Sequence, residues 1–206
     1  NAGTFLVLFS DILNFRKQID DSYKSYRKSI RKPVCYKALR TWIEKTYPCK
    51  SYPNLEADDT IGILATGEYK DKCVIISGDK DMRTIPAWHC SIIDNQIEKV
   101  DLKLADYHFC TQTLTGDQTD GYKGCIGVGH VKASRILDPK KDIDANWKSV
   151  IEEFLRNKMT VEDAYHQGRL ARILRHGEYT TRNNQPKLWS YKYGQYKNIG
   201  HSKKAS

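Results

Sequence analysis

Two short runs of β-branched and aromatic residues limit what this chain can fold into. TFLVLF at 4–9 stops at Ser10-Asp11, and CVIIS at 73–77 stops at Gly78-Asp79-Lys80-Asp81. Runs this short and this apolar suit strands buried on both faces, as in a parallel sheet covered by helices. The chain between them supplies helical patterns. Pro33 opens VCYKALRTWIEKTY, where Leu39, Trp42, Ile43 and Tyr47 share an apolar side, and Pro48 closes it. A loop at 48–54 precedes a second helix starting at about Glu56 and ending at Gly67. CSIID at 90–94 reads as a third strand and DLKLADYHF at 101–109 as a short helix. Strands alternating with helices predict an α/β fold, a mostly parallel twisted sheet flanked by helices. Beyond about residue 112 the pattern is helical only, and from Tyr179 onward Trp189, Tyr191, Tyr193 and Tyr196 interleave with Arg and Lys, without a single Asp or Glu. Three parts are therefore expected: an α/β core at 1–111, a helical region at 112–178, and a loosely packed basic aromatic tail at 179–206.

In doubly wound sheets ligands collect beyond the carboxyl ends of the strands, where Asp11, Asp79 and Asp81 are expected to stand. Each alone reads equally well as a turn residue or a helix cap. LEADD adds Glu56, Asp58 and Asp59 in the first turn of a helix. One acid there complements the helix dipole by about 0.3–1 kcal/mol. Three within four residues repel one another unless a cation lies among them. GDQTDG adds Asp117 and Asp120, three residues apart between glycines. Together the acids make an oxygen-only donor set suited to Mg²⁺ or Mn²⁺. They outnumber what one ion neutralises, so two ions about 3.5–4 Å apart are expected. No G-x-S-x-G turn offers a nucleophile, and the six His are scattered. A phosphatase built on the D-x-D at 79–81 would leave the other acids unexplained.

Lys and Arg outnumber Asp and Glu by 34 to 25, a net +9, which favours a polyanionic partner such as nucleic acid. Residues 14–33 read as a cationic helix face carrying Lys24, Arg27, Lys28 and Arg31. GCIGVGHVKA places Gly124, Gly127 and Gly129 around Ile126, just before a helix starting near His130. This is a turn between helices or a phosphate cradle, and the flanking Lys123 and Lys132 favour the cradle. The six cysteines lie 14 to 24 residues apart with no C-x-x-C pair. They are expected as free thiols in a reducing compartment, and His89, Cys90, His108 and Cys110 are not expected to hold zinc. No apolar run reaches the ~18 residues of a membrane span. The start, NAGTFLVLFSD, lacks the basic flank of a signal peptide, so a soluble cytoplasmic protein is expected.

LEADD, SGDKDM and GDQTDGYKGCIGVGHVKA, in this order, resemble the 5′ nuclease superfamily of flap endonucleases and polymerase 5′ nuclease domains. FSDILNFRKQID, YKSYRK and GRLARILRHGEY followed by LW are similar to the replication exonucleases of short-tailed phages. The resemblance covers Phe5 to Trp189. It implies a PIN-like nuclease core followed by a helix–hairpin–helix, and a Mg²⁺-dependent 5′→3′ exonuclease acting as a monomer in the host cytoplasm. The expected partners are duplex DNA with 5′ ends or flaps and RNA–DNA hybrid. It places Asp11, Glu56, Asp58 and Asp79 at one metal and Asp81, Asp117 and Asp120 at the other, with Asp59 near the boundary. It further implies that Lys24 and Arg27 grip the scissile phosphate from or beside a helical arch, and that the Gly-rich turn holds the duplex backbone, often with a K⁺ ion. The family begins with an earlier strand ending in a metal-ligand Asp, whereas this chain starts at Asn1 without a Met. A missing amino-terminal segment is therefore expected. The alternative is a duplex-binding protein with an incomplete metal site.

Overall fold

The computed structural model describes residues 3–191; Tyr193, Tyr196 and the side chain of Lys28 lie outside the described residues. The strands are shorter than their apolar runs. β1 (Val7–Leu8) pairs in parallel with β2 (Cys49–Lys50), a strand within the segment expected as a loop. β3 (Val74–Ser77) pairs in parallel with β4 (Trp88–Ser91), and β4 pairs antiparallel with β5 (Ile97–Lys99). The third strand thus starts two residues earlier than expected and turns back through a bend in which Asn95 adopts φ 57°. The architecture is α/β. No helix of the described residues is long and apolar enough to cross a membrane, and all six cysteines are free thiols.

The expected cationic helix over 14–33 does not form. α1 (Arg16–Ile19) is a single turn, and after it the Asp20 carboxylate accepts hydrogen bonds from the backbone N–H and hydroxyl of Ser22. Such a local turn competes with helix continuation. Lys24 then takes the left-handed conformation, φ 52°, ahead of a 3₁₀ helix over Ser25–Ser29. α2 (Tyr36–Thr46) forms as expected, yet it buries no residue, and Leu39 and Trp42 on its apolar side stay half exposed. α3 (Ala57–Thr66) follows the acid cluster, and α4 (Leu102–Thr115) runs through the junction expected near 112.

The main core lies among α4, α5 (His130–Ile136), α6 (Ile143–Arg156) and α7 (Val161–Ala171). Trp147 stacks on Phe109 at 5.8 Å and touches Tyr165 at 5.4 Å, all three fully buried. Residues 179–191 are not the loose tail expected from composition. A small hairpin, β6 (Tyr179–Thr180) with β7 (Gln185–Pro186), leads to Trp189, which packs edge-on against Phe109 and Trp147. The aromatic area removed from water there outweighs the tail's lack of helical or strand pattern.

After α7 the chain crosses the back of α3. Ile173 enters the cluster of Ala65, Ile75, Met82 and Ile85, and Leu174 enters that of Phe15 and Leu55. The approach is close: a methyl on Gly62 would lie 2.3 Å from the Leu174 carbonyl oxygen. Alanine normally favours a helix over glycine by about 1 kcal/mol. Here the Gly62→Ala substitution should instead lose about 1–3 kcal/mol, because backbone rather than a flexible side chain must give way. Urea unfolding checks the sign, and an unchanged or raised midpoint would mean that the 172–176 segment does not clamp α3.

Candidate active site

The acids of LEADD are set by a guanidinium. Arg16, buried in α1, donates two parallel hydrogen bonds to Asp59, 2.7 and 2.8 Å, and two more to the carbonyls of Leu170 and Arg172. Asp59 also accepts from the backbone N–H of Leu174 and of Glu56. Its oxygens are thus filled by protein donors. Fully buried and so engaged, Asp59 ties the first turn of α3 to Arg16 and to the 172–174 backbone. Glu56, at the N-cap, lies at the edge of this pair with Oε2 3.4 Å from Arg16 Nη1, and Asp58 follows it in the first turn.

Around them gather groups from three further segments. The Lys24 ammonium lies 2.7 Å from Glu56 Oε1 and 3.3 Å from Asp120 Oδ2, and Arg27 Nη2 lies 3.4 Å from Asp120 Oδ1. The buried Tyr23 hydroxyl is 2.9 Å from both Glu56 Oε2 and Asp120 Oδ2, so its one proton serves two carboxylates. Asp117 and Asp120 sit on a turn closed by paired hydrogen bonds between Asp117 and Tyr122. Gly116 and Gly124 meet back to back at its base with φ +67° and +66°; any side chain on either would strike the other strand of the turn. Asp79 caps a 3₁₀ helix over Lys80–Thr84 by accepting from the Asp81 N–H. Gln112 of α4 donates to Asp81 Oδ1, and Lys80 Nζ lies 3.5 Å from Asp117.

The carboxylates feel one another. Burial, then the charges of Glu56 and Asp59, push the Asp58 carboxyl up to about 7, with Asp79 adding to the rise. Burial, then Asp79 and Asp117, push Asp81 up to about 6. Burial also works to raise Glu56, but the charges of Arg16 and Lys24, with hydrogen bonds from Lys24 and Tyr23, hold it below its ordinary range. The fold thus brings Glu56, Asp58, Asp79, Asp81, Asp117, Asp120, Lys24 and Arg27 into one region. Asp11 is engaged elsewhere, accepting from the backbone N–H groups of Ile12 and Asn54. Among the described residues no three such side chains converge tightly enough, as they stand, to grip an ion.

The Gly-rich turn is half anchored and half open. The Gly124 N–H is held by Gln167, and Cys125 and Val128 are buried. Ile126 is exposed, and Gly127, at φ +72°, and Gly129 have open space where a side chain would be. Lys123 and His130 are exposed, whereas the Lys132 ammonium is paired with Glu153 at 2.7 Å. Sequence reasoning missed Arg16, Tyr23 and Gln112. The first two lie inside FRKQID and YKSYRK, where only their more regular neighbours stood out.

Residues 2–112 match the family model described as the 5′-3′ exonuclease, N-terminal resolvase-like domain. The chain belongs to the 5′-3′ exonuclease family. This exonuclease is 32% identical to the exonuclease of Escherichia phage T7 over 226 residues, covering 91% of this chain and 74% of that protein. It is 32% identical to the exodeoxyribonuclease of Enterobacteria phage T3, covering 92% and 74%. Its fold is that of phage T5 5′-exonuclease, solved with divalent metal ions (zinc) bound, at a TM-score of 0.56 and 19% identity, covering 82% of this chain and 74% of that one. A phage T5 flap endonuclease in a pseudo-enzyme-product complex with DNA and metal ions matches at a TM-score of 0.52 and 19% identity, covering 81% and 78%.

Two neighbouring acids of this exonuclease should respond in opposite directions. A carboxyl with a raised folded-state pKa binds its proton more tightly when folded, so its contribution to stability is lost as pH rises through the interval from about 4 to about 7. Asp58→Asn should therefore raise the melting temperature of the metal-free protein at pH 8 and leave it nearly unchanged at pH 4. Asp59→Asn strands the Arg16 charge and should cost about 3–5 kcal/mol at either pH. Calorimetry of the two variants decides, and a shared direction at pH 8 would contradict the geometry.

Proposed function

We propose that this exonuclease hydrolyses phosphodiester bonds of duplex DNA from 5′ ends or flaps, using two Mg²⁺ or Mn²⁺ ions. The observation that carries the reading is the Lys24 ammonium between Glu56 and Asp120, within a group of six acids drawn from three segments. A lysine there holds the place of a cation. The donor set fits a hard divalent ion, being oxygen-only and short of positive charge, as the raised Asp58 and Asp81 carboxyls attest. Glu56, Asp58 and Asp79 would hold one ion, and Asp81, Asp117 and Asp120 the other. When bound, such a pair activates water and stabilises the leaving oxygen of an in-line displacement.

The chain's own residues do the rest. Lys24, relieved of its carboxylates, and Arg27 bind the phosphoryl oxygens where charge develops. Tyr23 keeps Glu56 and Asp120 at a fixed separation. Lys123 and the open backbone of Gly127 and Gly129 hold the duplex by its phosphates and set register without reading bases. Contacts of that kind do not distinguish sequence, and a paired RNA strand is accepted as well. The protein works as a monomer in the reducing cytoplasm.

With 5′-labelled duplex and Mg²⁺, the wild-type chain should release label, and Lys24→Ala should lower kcat by about 10²–10³-fold. Mg²⁺ should also raise the melting temperature of the wild type at pH 8 and that of an Asp58→Asn/Asp81→Asn variant much less. Equal inactivity of the wild type and an Asp81→Ala variant, together with retained duplex binding, would support the binding-only reading instead.

A further inference from the structure

We propose that Glu153 is a positioning residue of the duplex-binding hairpin, and that it keeps Lys132 out of phosphate contact and so limits how tightly the hairpin holds DNA. This rests on the reading of residues 124–132 as the duplex grip. Glu153 comes from α6, far along the chain from the hairpin, and its side chain is fully buried. A buried carboxylate needs partners. It has Lys132 Nζ at 2.7 Å, Asn157 Nδ2 at 2.8 Å, and Arg156. Burial works to raise its carboxyl, but hydrogen bonds from Lys132 and Asn157 and the charges of Lys132 and Arg156 hold it below the ordinary range.

The same residue also anchors the turn. The Cys125 thiol lies 3.7 Å from the Glu153 carbonyl, Asn157 donates to that carbonyl at 2.8 Å, and its Nδ2 lies 3.6 Å from the Cys125 sulfur. The carboxyl end of α6 thus meets both the Cys125 side chain of the turn and the Lys132 side chain of the first turn of α5. The Lys132 side chain is 45% exposed and that of Arg156 67%, although their acid partner is fully buried. Each can swing to water or to a phosphate if the acid loses its charge. The nearest basic residue on the amino side of the turn, Lys123, is exposed. The two lysines flanking GCIGVGH are therefore unequal: Lys123 offers a free charge, and Lys132 an already neutralised one.

The consequence is a salt dependence that counts one lysine rather than two. Each phosphate neutralised contributes about 0.9 to the slope of log K against log salt on duplex DNA. Affinity for a short blunt duplex would be measured across a salt series, without divalent ions, for the wild type, Lys123→Ala, Lys132→Ala and Glu153→Gln. Lys123→Ala should reduce the slope by about 0.9, and Lys132→Ala should leave it unchanged. Glu153→Gln keeps the shape and the hydrogen bond to Asn157. It should steepen the slope by about 0.9 to 1.8 and tighten binding at low salt. A merely structural role for Glu153 would weaken binding at all salt concentrations without steepening the slope. That result would overturn the proposal, as would Lys132→Ala lowering the slope as much as Lys123→Ala. Should Glu153→Gln fold poorly, the Lys132→Ala slope still decides, since it leaves the buried acid paired with Arg156. A flat salt dependence in the wild type and in Lys123→Ala would refute the duplex grip itself, a distinct failure.

Discussion

The site depends on one buried ion pair. Arg16 and Asp59 are both withdrawn from water, a loss that only good geometry repays, and here every strong donor and acceptor is used. Because Arg16 reaches the carbonyls of Leu170 and Arg172 at the end of α7 while Asp59 sits in the first turn of α3, the pair joins parts of the chain more than a hundred residues apart. The amino end of α3 is therefore held from behind. On the helix turn that Asp59 anchors, Glu56 lies between Arg16 and Lys24, and Asp58 feels the charges of Glu56, Asp59 and Asp79. Gly62 completes the arrangement, since only a residue without a side chain lets the 172–176 segment lie so close.

With α3 fixed, the acids cannot relax their mutual repulsion by moving apart, and the fold answers with internal cations. Lys24 bridges Glu56 and Asp120, which share the Tyr23 hydroxyl as well, Lys80 approaches Asp117, and Gln112 donates a hydrogen bond to Asp81. The left-handed backbone at Lys24 carries strain of about 1–3 kcal/mol, and it is what delivers the ammonium to that spot. Asp58 is the residue left least compensated.

Much of this was legible in the sequence because it is local. The acids, the turn glycines and the helices of the second half follow from spacing, and the parallel pairing of β3 with β4 follows from an apolar run. What was not legible is long-range. Whether Asp59 faces a metal or Arg16 depends on where residues 170–174 return. Nothing in LEADD distinguishes its three acids. Trp189 in an acid-free stretch looked like tail, and only the aromatic pocket of Phe109 and Trp147 makes it core. The helix expected over 14–33 failed for a local reason, the Asp20–Ser22 turn, which periodicity of basic residues concealed. Asp11 likewise stands beyond a strand as its position implied, but which backbone N–H groups its carboxylate meets, Ile12 and Asn54, depends on where the 48–54 segment returns.

Net charge was the least informative feature about where DNA contact is made. Lys24 and Lys132, basic residues at the two motifs, are paired with Glu56 and Asp120 and with Glu153. The attraction that brings a polyanion to the protein must then come from the remaining unpaired cations, while these two lysines change partner only at short range. For Lys24 the exchange is cheap once another cation takes over its carboxylates, because the total charge around Glu56 and Asp120 is then restored. For Lys132 no such replacement exists beyond Arg156, whose own pairing with Glu153 is already in place. On the proposed reading the same kind of contact is a removable plug at the acid cluster and a lasting restraint at the hairpin, and the difference lies in whether something else can neutralise the buried carboxylate.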